Sequence, residues 1–541
     1  MSRLVPDHSS LLGDCFFDSA ERFADRTALV VDKHQYSYSE LSIAAKATAA
    51  VLGSNLPERV QLVAMFGQRS AASYAGVLGI LAAGRGYVPL NPKFPVGRNL
   101  QVLDNSGVRA IVVDMGFLES FAPLLEAVES SLTIFCLRLG RAQVDVQLPA
   151  RHEVFWVDCA ATEYDVVARA ASTDDVAYLL YTSGSTGVPK GVRITHRSAS
   201  AYVERIRERY DFSPDDRFSQ CFDLSFDLSV HDMFVCWGVG ACLYCLPDTA
   251  TLGPTKFILN NCLTVWFSVP STIAMCQKLR ILKPGTLTSL RISLFCGEPL
   301  LVASAEAWTK AAPNSSIDNL YGPTEATISF TGYTFRSGTP VAAHEVGIVP
   351  IGEPFPGLGC VLLGKDLKPV QTGEIGELCL GGDQLSLGYW KDSGKTKKSF
   401  LNISIPEHPL IDRWYRTGDL ARYAAEQGYM WIGRIDSQIK LLGHRVELSE
   451  IEHHLRNAAE SNLSVAVDWP RTESGASGIV GFVSGSDISS EKILRRCREA
   501  MPSYMVPRAI QHIDNFPLNA NGKVDRGQLR AMLEQGSSDA Q

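Results

Sequence analysis

Long apolar runs and clusters of basic residues are scarce in this sequence. The longest uncharged apolar stretch, about Met233 to Pro247, is interrupted by glycines and is too short to span a bilayer. The N-terminus has no cationic segment followed by an apolar run, so we expect no signal peptide, no membrane partner and a cytoplasmic location. The formal net charge is −7 and Lys and Arg are dispersed, which argues against a nucleic-acid partner.

Paired cysteines are also nearly absent. The 13 cysteines are scattered singly along the chain, which is not the pattern of a disulfide framework. Cys242 and Cys245 form one CxxC pair, but no second pair and no nearby histidines complete a zinc site. We therefore expect these two residues to act as small hydrophobic side chains on a buried strand.

What the sequence does have is an abundance of apolar residues in alternating patterns. Its 541 residues are 45% hydrophobic and suggest more than one domain. Strand-like runs at 61–67, 109–115 and 176–182 alternate with helical patterns, which is typical of an α/β fold whose layered sheets are covered by helices.

The last hundred residues have a different pattern. A capping box at 449–452, strands at 463–469 and 478–483 and a helix at 490–501 predict a compact α+β unit. We expect a large N-terminal α/β domain over residues 1–435 and a small, mobile C-terminal α+β domain over residues 436–541.

The strongest local motif is the loop YTSGSTGVPKG at 181–191, which follows a buried strand. Its glycines allow backbone N–H groups to approach an anion, its hydroxyls donate hydrogen bonds and its lysine adds charge, so the expected ligand is phosphate. The residue order differs from the nucleotide loop GxxxxGK[ST] and from the dinucleotide motif GxGxxG. The candidate phosphate residues are Thr182, Ser183, Gly184, Ser185, Thr186, Gly187 and Lys190.

Four further motifs follow in order: NLYGPTE at 319–325, YRTGD at 415–419, GRID at 433–436 and NGK at 521–523. Together with the phosphate loop they resemble the acyl-adenylate-forming superfamily, and most closely the amino-acid adenylation domains of nonribosomal peptide synthetases and their stand-alone relatives. The likeness extends from about Tyr36 to Arg526. It implies ATP and Mg²⁺ as cofactors, an acyl-adenylate as product and pyrophosphate as leaving group.

The resemblance also implies roles for individual residues. Lys523 would bridge the substrate carboxylate and the α-phosphate as the catalytic lysine, with Lys190 and Thr182 acting on the phosphates. Glu325 would bind Mg²⁺, which needs few protein carboxylates when phosphates supply other oxygens. Asp436 would be the hinge about which the small domain rotates after adenylation. The remaining nucleotide contacts would come from Tyr321 against adenine, Asp419 on the ribose, and Gly322, Thr324 and Arg434.

Carried over by the same resemblance, the acid-binding pocket would consist of Asp227, Leu228, His231, Phe267, Leu294, Cys296, Leu320, Ile328 and Ser329. Asp227 would pair with the α-ammonium of an amino acid, because a buried carboxylate without a partner is costly. Asp223 lies four residues earlier, and an alternative alignment of the motif would give this role to Asp223. The bulky apolar residues leave room for a small side chain, with proline first and alanine, serine and cysteine next. His231 could donate to a polar side chain, but we favour a role in the pocket wall.

Only 18 residues follow Lys523, so we expect a free-standing activator whose acceptor is the phosphopantetheine thiol of a separate carrier protein. Residues 443–445 would face that arm, and some relatives also require a small helper protein. The alternative is an acyl- or aryl-CoA ligase, which has the same ATP motifs. Only Asp227 and the other pocket residues argue against it. A catalytically silent binding homologue is a remote alternative, because Lys190, Glu325, Asp419 and Lys523 are all present.

Overall fold

The structure is a computed structural model of the 541-residue chain. It describes residues 10–139, 148–159, 169–184, 188–250, 253–338, 347–436, 438–461, 463–472, 475–518 and 524–538. Lys523 and three residues of the phosphate loop, Ser185, Thr186 and Gly187, lie outside these ranges.

The described part contains both strands and helices throughout, as expected for an α/β chain. The strands are β1 (Thr27–Val31), β2 (His34–Ser37), β3 (Leu62–Phe66), β4 (Gly86–Leu90), β5 (Ala110–Asp114), β6 (Thr133–Arg138), β7 (Glu153–Asp158), β8 (Val176–Thr182), β9 (Lys190–Thr195), β10 (Arg217–Gln220), β11 (Cys242–Cys245), β12 (Val265–Ser268), β13 (Ile292–Phe295), β14 (Ser316–Tyr321), β15 (Thr331–Phe335), β16 (Glu353–Pro354), β17 (Gly359–Leu363), β18 (Ile375–Gly381), β19 (Phe400–Asn402), β20 (Arg413–Ala424), β21 (Gly428–Arg434), β22 (Gln438–Leu441), β23 (His444–Glu447), β24 (Leu463–Asp468), β25 (Arg471–Thr472), β26 (Gly475–Ala476), β27 (Ile479–Ser484) and β28 (Ala509–His512). The α-helices are α1 (Asp14–Arg22), α2 (Tyr38–Asn55), α3 (Ala71–Ala82), α4 (Val96–Ser106), α5 (Leu118–Ala127), α6 (His196–Arg209), α7 (Leu228–Gly238), α8 (Thr255–Asn261), α9 (Ser271–Lys278), α10 (Val302–Ala311), α11 (Ser393–Ser399), α12 (Leu448–Ala459), α13 (Ser490–Ala500) and α14 (Arg526–Ser538).

Two large sheets form the body of the molecule. One has seven strands in the order β7-β6-β5-β3-β4-β8-β9, and the other has nine in the order β16-β15-β14-β13-β12-β10-β11-β1-β2. Their central strands pair in parallel, and every residue of β3, β4 and β5 is buried. This is the burial expected of strands covered by helices on both faces. The largest apolar cluster joins both sheets with α2, α3, α6 and α7.

Smaller sheets follow. A five-stranded antiparallel sheet contains β17 to β21, and the strands from β22 onward belong to two separate small sheets that share cores with α12, α13 and α14. The change of sheet falls between Arg434 and Gln438, beside the expected domain boundary, which itself stays a prediction. None of the described helices has the length and apolar character needed to cross a bilayer.

Local expectations were mostly, but not entirely, correct. The five apolar runs correspond to β3, β5, β8, β24 and β27, and the CxxC pair forms the ends of β11. The capping box at 449–452 was wrong: α12 begins earlier, Glu447 occupies its N-cap position, and no side chain caps it. The carboxylates of Glu450 and Glu452 instead make tertiary contacts with Arg98 and Arg526.

Candidate active site

A cavity of about 90 Å³ opens where β8, α7, β14 and β21 approach the β22–β23 hairpin. It brings together residues from the first four sequence motifs, and the fifth, at 521–523, lies outside the described residues. Its lining includes, from the predicted sites, Thr182, Ser183, Asp227, Leu228, Cys296, Tyr321, Gly322, Thr324, Ile328, Asp419 and Arg434.

The phosphate loop connects two antiparallel strands, with Thr182 of β8 paired in register with Lys190 of β9. Thr182 Oγ1 is buried and has no hydrogen-bond partner among the described residues. A Cβ atom at Gly184 would lie 2.0 Å from the Val188 carbonyl oxygen, so only glycine fits there. An orphaned hydroxyl beside a close backbone approach suits an anion that supplies the missing acceptor.

Glu325 forms the charged centre of the cluster beside this loop. Its side chain is fully buried. Its carboxylate accepts hydrogen bonds from Lys190 Nζ at 3.3 Å, from the Tyr389 hydroxyl at 2.8 Å and from an Arg445 guanidinium nitrogen at 3.1 Å. Burial alone would raise the pKa of Glu325, but Arg445 and Lys190 outweigh it and hold that pKa below its usual range. Burial lowers the pKa of Lys190 to about 8, against the attraction of Glu325.

The nucleotide residues form a second network around Asp419. The Tyr321 hydroxyl donates to its carboxylate at 2.6 Å, Trp431 Nε1 at 3.0 Å and Arg434 at 2.8 Å. Two nitrogens of Arg434 also donate hydrogen bonds to Asp436, at 2.7 and 2.8 Å. Arg434 therefore links Asp419, the residue expected to bind the ribose, to Asp436, the expected hinge.

Asp227 lines the same cavity and lies directly before α7. Its side chain is 7% exposed. Burial raises the pKa of Asp227 to about 6, opposed by a hydrogen bond from Thr324 and reinforced by the charge of Glu325. The rival Asp223 contacts Arg69 and Asn91 and lines a different cavity. Of the two carboxylates, only Asp227 faces the space shared with the nucleotide residues.

The deeper pocket residues surround the start of α7 but do not all reach this cavity. Leu228, Cys296 and Ile328 do, whereas His231, Phe267, Leu294, Leu320 and Ser329 lie behind them. Burial lowers the pKa of His231 to about 3, so its imidazole is neutral.

The small domain contributes residues that the sequence analysis did not assign to the ATP site. Lys440 Nζ lies 5.5 Å from the centre of the Tyr321 ring, and Arg445 reaches Glu325. Glu450 accepts a hydrogen bond from Gly184 N at 2.9 Å and pairs with the buried Arg98 at 2.6 Å. Only the spacing of basic residues after the GRID motif could have suggested Lys440 and Arg445, and no local pattern marks Glu450.

Two cavities meet at an aromatic cluster. His444 stacks on Tyr504 with ring centres 3.7 Å apart, and Phe94 and Phe226 lie beside them. These four residues line both the cavity described above and a second cavity that opens toward Arg69 and Lys93. The segment 443–445 expected to face a carrier arm therefore does line the site in this orientation of the small domain.

Comparison with known proteins gives the family. The model of the AMP-binding enzyme family matches residues 16–390. The chain belongs to the AMP-binding enzyme family. The match confirms the resemblance, and two of the five motifs, at 181–191 and 319–325, lie within the matched residues.

Among curated members of the AMP-binding enzyme family, the chain is 30% identical to the L-proline–[L-prolyl-carrier protein] ligase of Pseudomonas fluorescens, covering 97% of this chain and 99% of that one. It is also 30% identical to tyrocidine synthase 2 of Brevibacillus parabrevis over 95% of this chain, but spans only 13% of that protein. Among solved structures, the Vibrio cholerae adenylation domain AlmE, in complex with glycyl-adenosine-5′-phosphate, superposes with a TM-score of 0.87 at 30% identity, covering 99% of both chains. This likeness confirms the α/β fold class.

Proposed function

We propose that the protein uses ATP to activate a small amino acid as an aminoacyl-adenylate and transfers the aminoacyl group to the phosphopantetheine thiol of a separate carrier protein. The observation that carries this proposal is the buried Asp227 carboxylate, which shares one cavity with Thr182, Tyr321 and Asp419. A carboxylate with a raised pKa in such a place favours a cationic partner, and the α-ammonium of an amino acid supplies one.

The relatives support the same reaction class. The Pseudomonas fluorescens relative is named as a ligase that joins proline to a carrier protein, and AlmE was solved with an aminoacyl-adenylate. The first acts on one amino acid and the second holds another, so they support amino-acid activation without naming this chain's substrate.

In the proposed first step, Asp227 holds the ammonium so that the substrate carboxylate faces the α-phosphate. A carboxylate oxygen bonds to the α-phosphorus, the bond to the bridging oxygen breaks, and pyrophosphate leaves. Thr182 Oγ1, Gly184 N and Lys190 would hold the phosphates, while Tyr321 and Asp419 would hold the nucleoside. Lys523 is proposed to neutralise the two anions as they meet.

Glu325 is the residue that would hold Mg²⁺. Mg²⁺ binds one or two carboxylates together with phosphate oxygens and waters, and supplies charge neutralisation on the phosphates. The described residues contain no cluster of three or more acidic, histidine or cysteine side chains suited to a metal, so Glu325 would act with the substrate's own oxygens. In this orientation Arg445 and Lys190 satisfy the carboxylate, so Mg²⁺ binding requires Arg445 to withdraw.

The orientation of the small domain suits the second step. Arg445 donates a hydrogen bond to Glu325, and the Glu450 carboxylate accepts one from Gly184 N. Two groups proposed to bind Mg²⁺ and the phosphates of ATP therefore already have partners from the small domain. The thiol would attack the acyl carbonyl, and AMP would leave with the acyl-phosphate oxygen. Rotation about Asp436 would exchange this face for the one that carries Lys523.

A hydroxylamine-trapping experiment tests the proposed class of acid. Hydroxylamine should convert the adenylate into a hydroxamate that mass spectrometry identifies, when the protein is given ATP, Mg²⁺ and separately small amino acids, benzoate or hexanoate. We expect an aminoacyl hydroxamate and an equal amount of AMP. Benzoyl or hexanoyl hydroxamate alone would instead identify an acyl- or aryl-CoA ligase, and no product from a protein that binds ATP would identify a silent homologue.

The raised pKa of Asp227 predicts a pH dependence. Asp227 is ionised above about pH 6 and protonated below it, so kcat/KM for the amino acid should fall about tenfold per pH unit on the acid side. Pyrophosphate-exchange rates between pH 5 and 8 at saturating ATP would show this. The residual activity of Asp227→Asn should lack the acid limb, and an identical limb in that variant would assign it to another group.

A further inference from the structure

The space that should receive the amino-acid side chain is filled by the protein itself. A void able to hold one water would leave exposed surface on the residues around it. His231, Leu294 and Ser329 are 0% exposed, and the other five pocket residues below Asp227 are at most 2% exposed. The five are Leu228, Phe267, Cys296, Leu320 and Ile328.

Two aromatic rings pack against each other among these residues. The centres of the His231 and Phe267 rings are 4.4 Å apart. The Tyr202 hydroxyl lies 2.7 Å from His231 Nδ1, and Ser329 Oγ donates to the Tyr202 hydroxyl at 3.2 Å. Tyr202, which the sequence analysis did not identify, therefore fixes the histidine in place.

The segment 327–329, which forms one wall of the pocket, is also fixed by hydrogen bonds. Gln384 Nε2 donates to the Ser329 carbonyl oxygen at 3.0 Å, and Thr327 Oγ1 donates to the Gln384 carbonyl oxygen at 2.5 Å. Thr327 and Ile328 have φ values of +60° and +71°, which β-branched residues adopt only when their surroundings impose it. A Cβ atom at Gly322 would lie 2.6 Å from Ser329 Cα, so the two backbones are already in contact. Moving this wall outward would break several hydrogen bonds at once.

We infer that the substrate is the amino acid without a side chain, glycine. This inference rests on the proposed amino-acid activation and narrows it. Asp227 is the most exposed of the nine pocket residues, and of the other eight only Leu228, Cys296 and Ile328 reach the cavity, so the open space lies beside Asp227 and not among the deeper side chains. Proline, the first choice from the sequence pattern, would place three ring methylenes into occupied space.

A hydroxyl-bearing side chain is the strongest rival. His231 Nε2 is buried and has no hydrogen-bond partner among the described residues, so a serine hydroxyl could in principle pair with it. The ring of Phe267 packs against His231, however, and no water-sized space separates the two rings from the Ser329 wall. Glycine leaves that packing unchanged, whereas serine requires it to open.

The test is pyrophosphate exchange measured as kcat/KM for glycine, both alanine enantiomers, L-serine and L-proline. One methylene in a close-fitting pocket changes kcat/KM by about 10- to 200-fold, so glycine should exceed alanine by at least about 10-fold and proline by far more. Equal or higher values for alanine, serine or proline would overturn the glycine inference while leaving amino-acid activation intact. Activity with only benzoate or hexanoate would overturn amino-acid activation itself.

A pair of variants on β13 tests the cause. Leu294→Ala removes volume on the pocket side, whereas Phe295→Leu removes volume from a separate apolar cluster elsewhere in the same domain. We expect the alanine-to-glycine ratio of kcat/KM to rise at least about 10-fold in Leu294→Ala and to stay at the wild-type value in Phe295→Leu. The same ratio in both variants would mean that Leu294 does not limit the side chain.

Discussion

Replacing Asp227 with asparagine is expected to reduce kcat/KM for the amino acid by about 30- to 5,000-fold, because removing one partner of a buried charge pair costs roughly 2–5 kcal/mol. Asparagine keeps the shape of the side chain but loses the charge that would pair with the substrate ammonium. Pyrophosphate exchange at saturating ATP measures the loss. The KM for ATP should change little, since the expected nucleotide contacts of Tyr321 and Asp419 do not involve Asp227.

The matched control is Asp223→Asn, four residues earlier on the same segment. Asp223 interacts with Arg69 and Asn91 and lines the neighbouring cavity, so its replacement should leave kcat/KM for the amino acid near the wild-type value. If Asp223→Asn produced the large loss and Asp227→Asn did not, the alignment of the pocket would be wrong by four residues.

The second large effect should separate the two half-reactions. Lys523→Ala is expected to slow adenylate formation by about 100- to 1,000-fold, the usual cost of removing a preorganised charged group, while transfer from preformed adenylate to a thiol continues. Arg445→Ala should instead slow transfer from adenylate to the thiol while adenylate formation continues. It removes the small-domain contact to Glu325 that belongs to the orientation proposed for transfer. Rapid-quench measurement of each half-reaction distinguishes the two.

Two lysine and arginine variants serve as controls for this pair. Lys492→Ala changes an exposed lysine of the small domain and should leave both half-reactions unaltered. Arg445→Lys keeps the charge but not the separate nitrogens that contact Glu325 and Gln438, so it should recover part of the transfer rate. Loss of both half-reactions in Arg445→Ala would mean that Arg445 serves adenylation as well, contrary to the proposed alternation.

The proximity of the residues proposed to bind the nucleotide could be predicted, because they occur in short ordered motifs. Tyr321 and Asp419 are 98 residues apart in sequence, yet their side chains meet at 2.6 Å. The first four motifs each follow or form a strand, namely β8, β14, β20 and β21, although these strands belong to three different sheets. The α/β fold followed for a similar reason, since fully apolar runs such as β3 and β5 require cover on both faces.

The features that escaped prediction depend on tertiary packing. Glu450 had no predicted role within the expected capping box at 449–452, but its carboxylate contacts Gly184 and Arg98, both more than 260 residues away along the chain. Likewise, the letters of the pocket suggested room for a small side chain. Only the positions of His231, Phe267 and Tyr202 show that their rings and hydroxyl occupy that room. A sequence gives the volume of each residue but not the space between residues.

Amino-acid-dependent exchange of labelled pyrophosphate into ATP by the wild-type protein, with Lys523→Ala as the inactive reference, tests the proposed function most directly. We expect exchange that depends on an added small amino acid, is strongest with glycine and is lost in the variant. Exchange that is supported by benzoate or a fatty acid but by no amino acid would contradict it, because a ligase for such acids would have no use for the buried charge of Asp227.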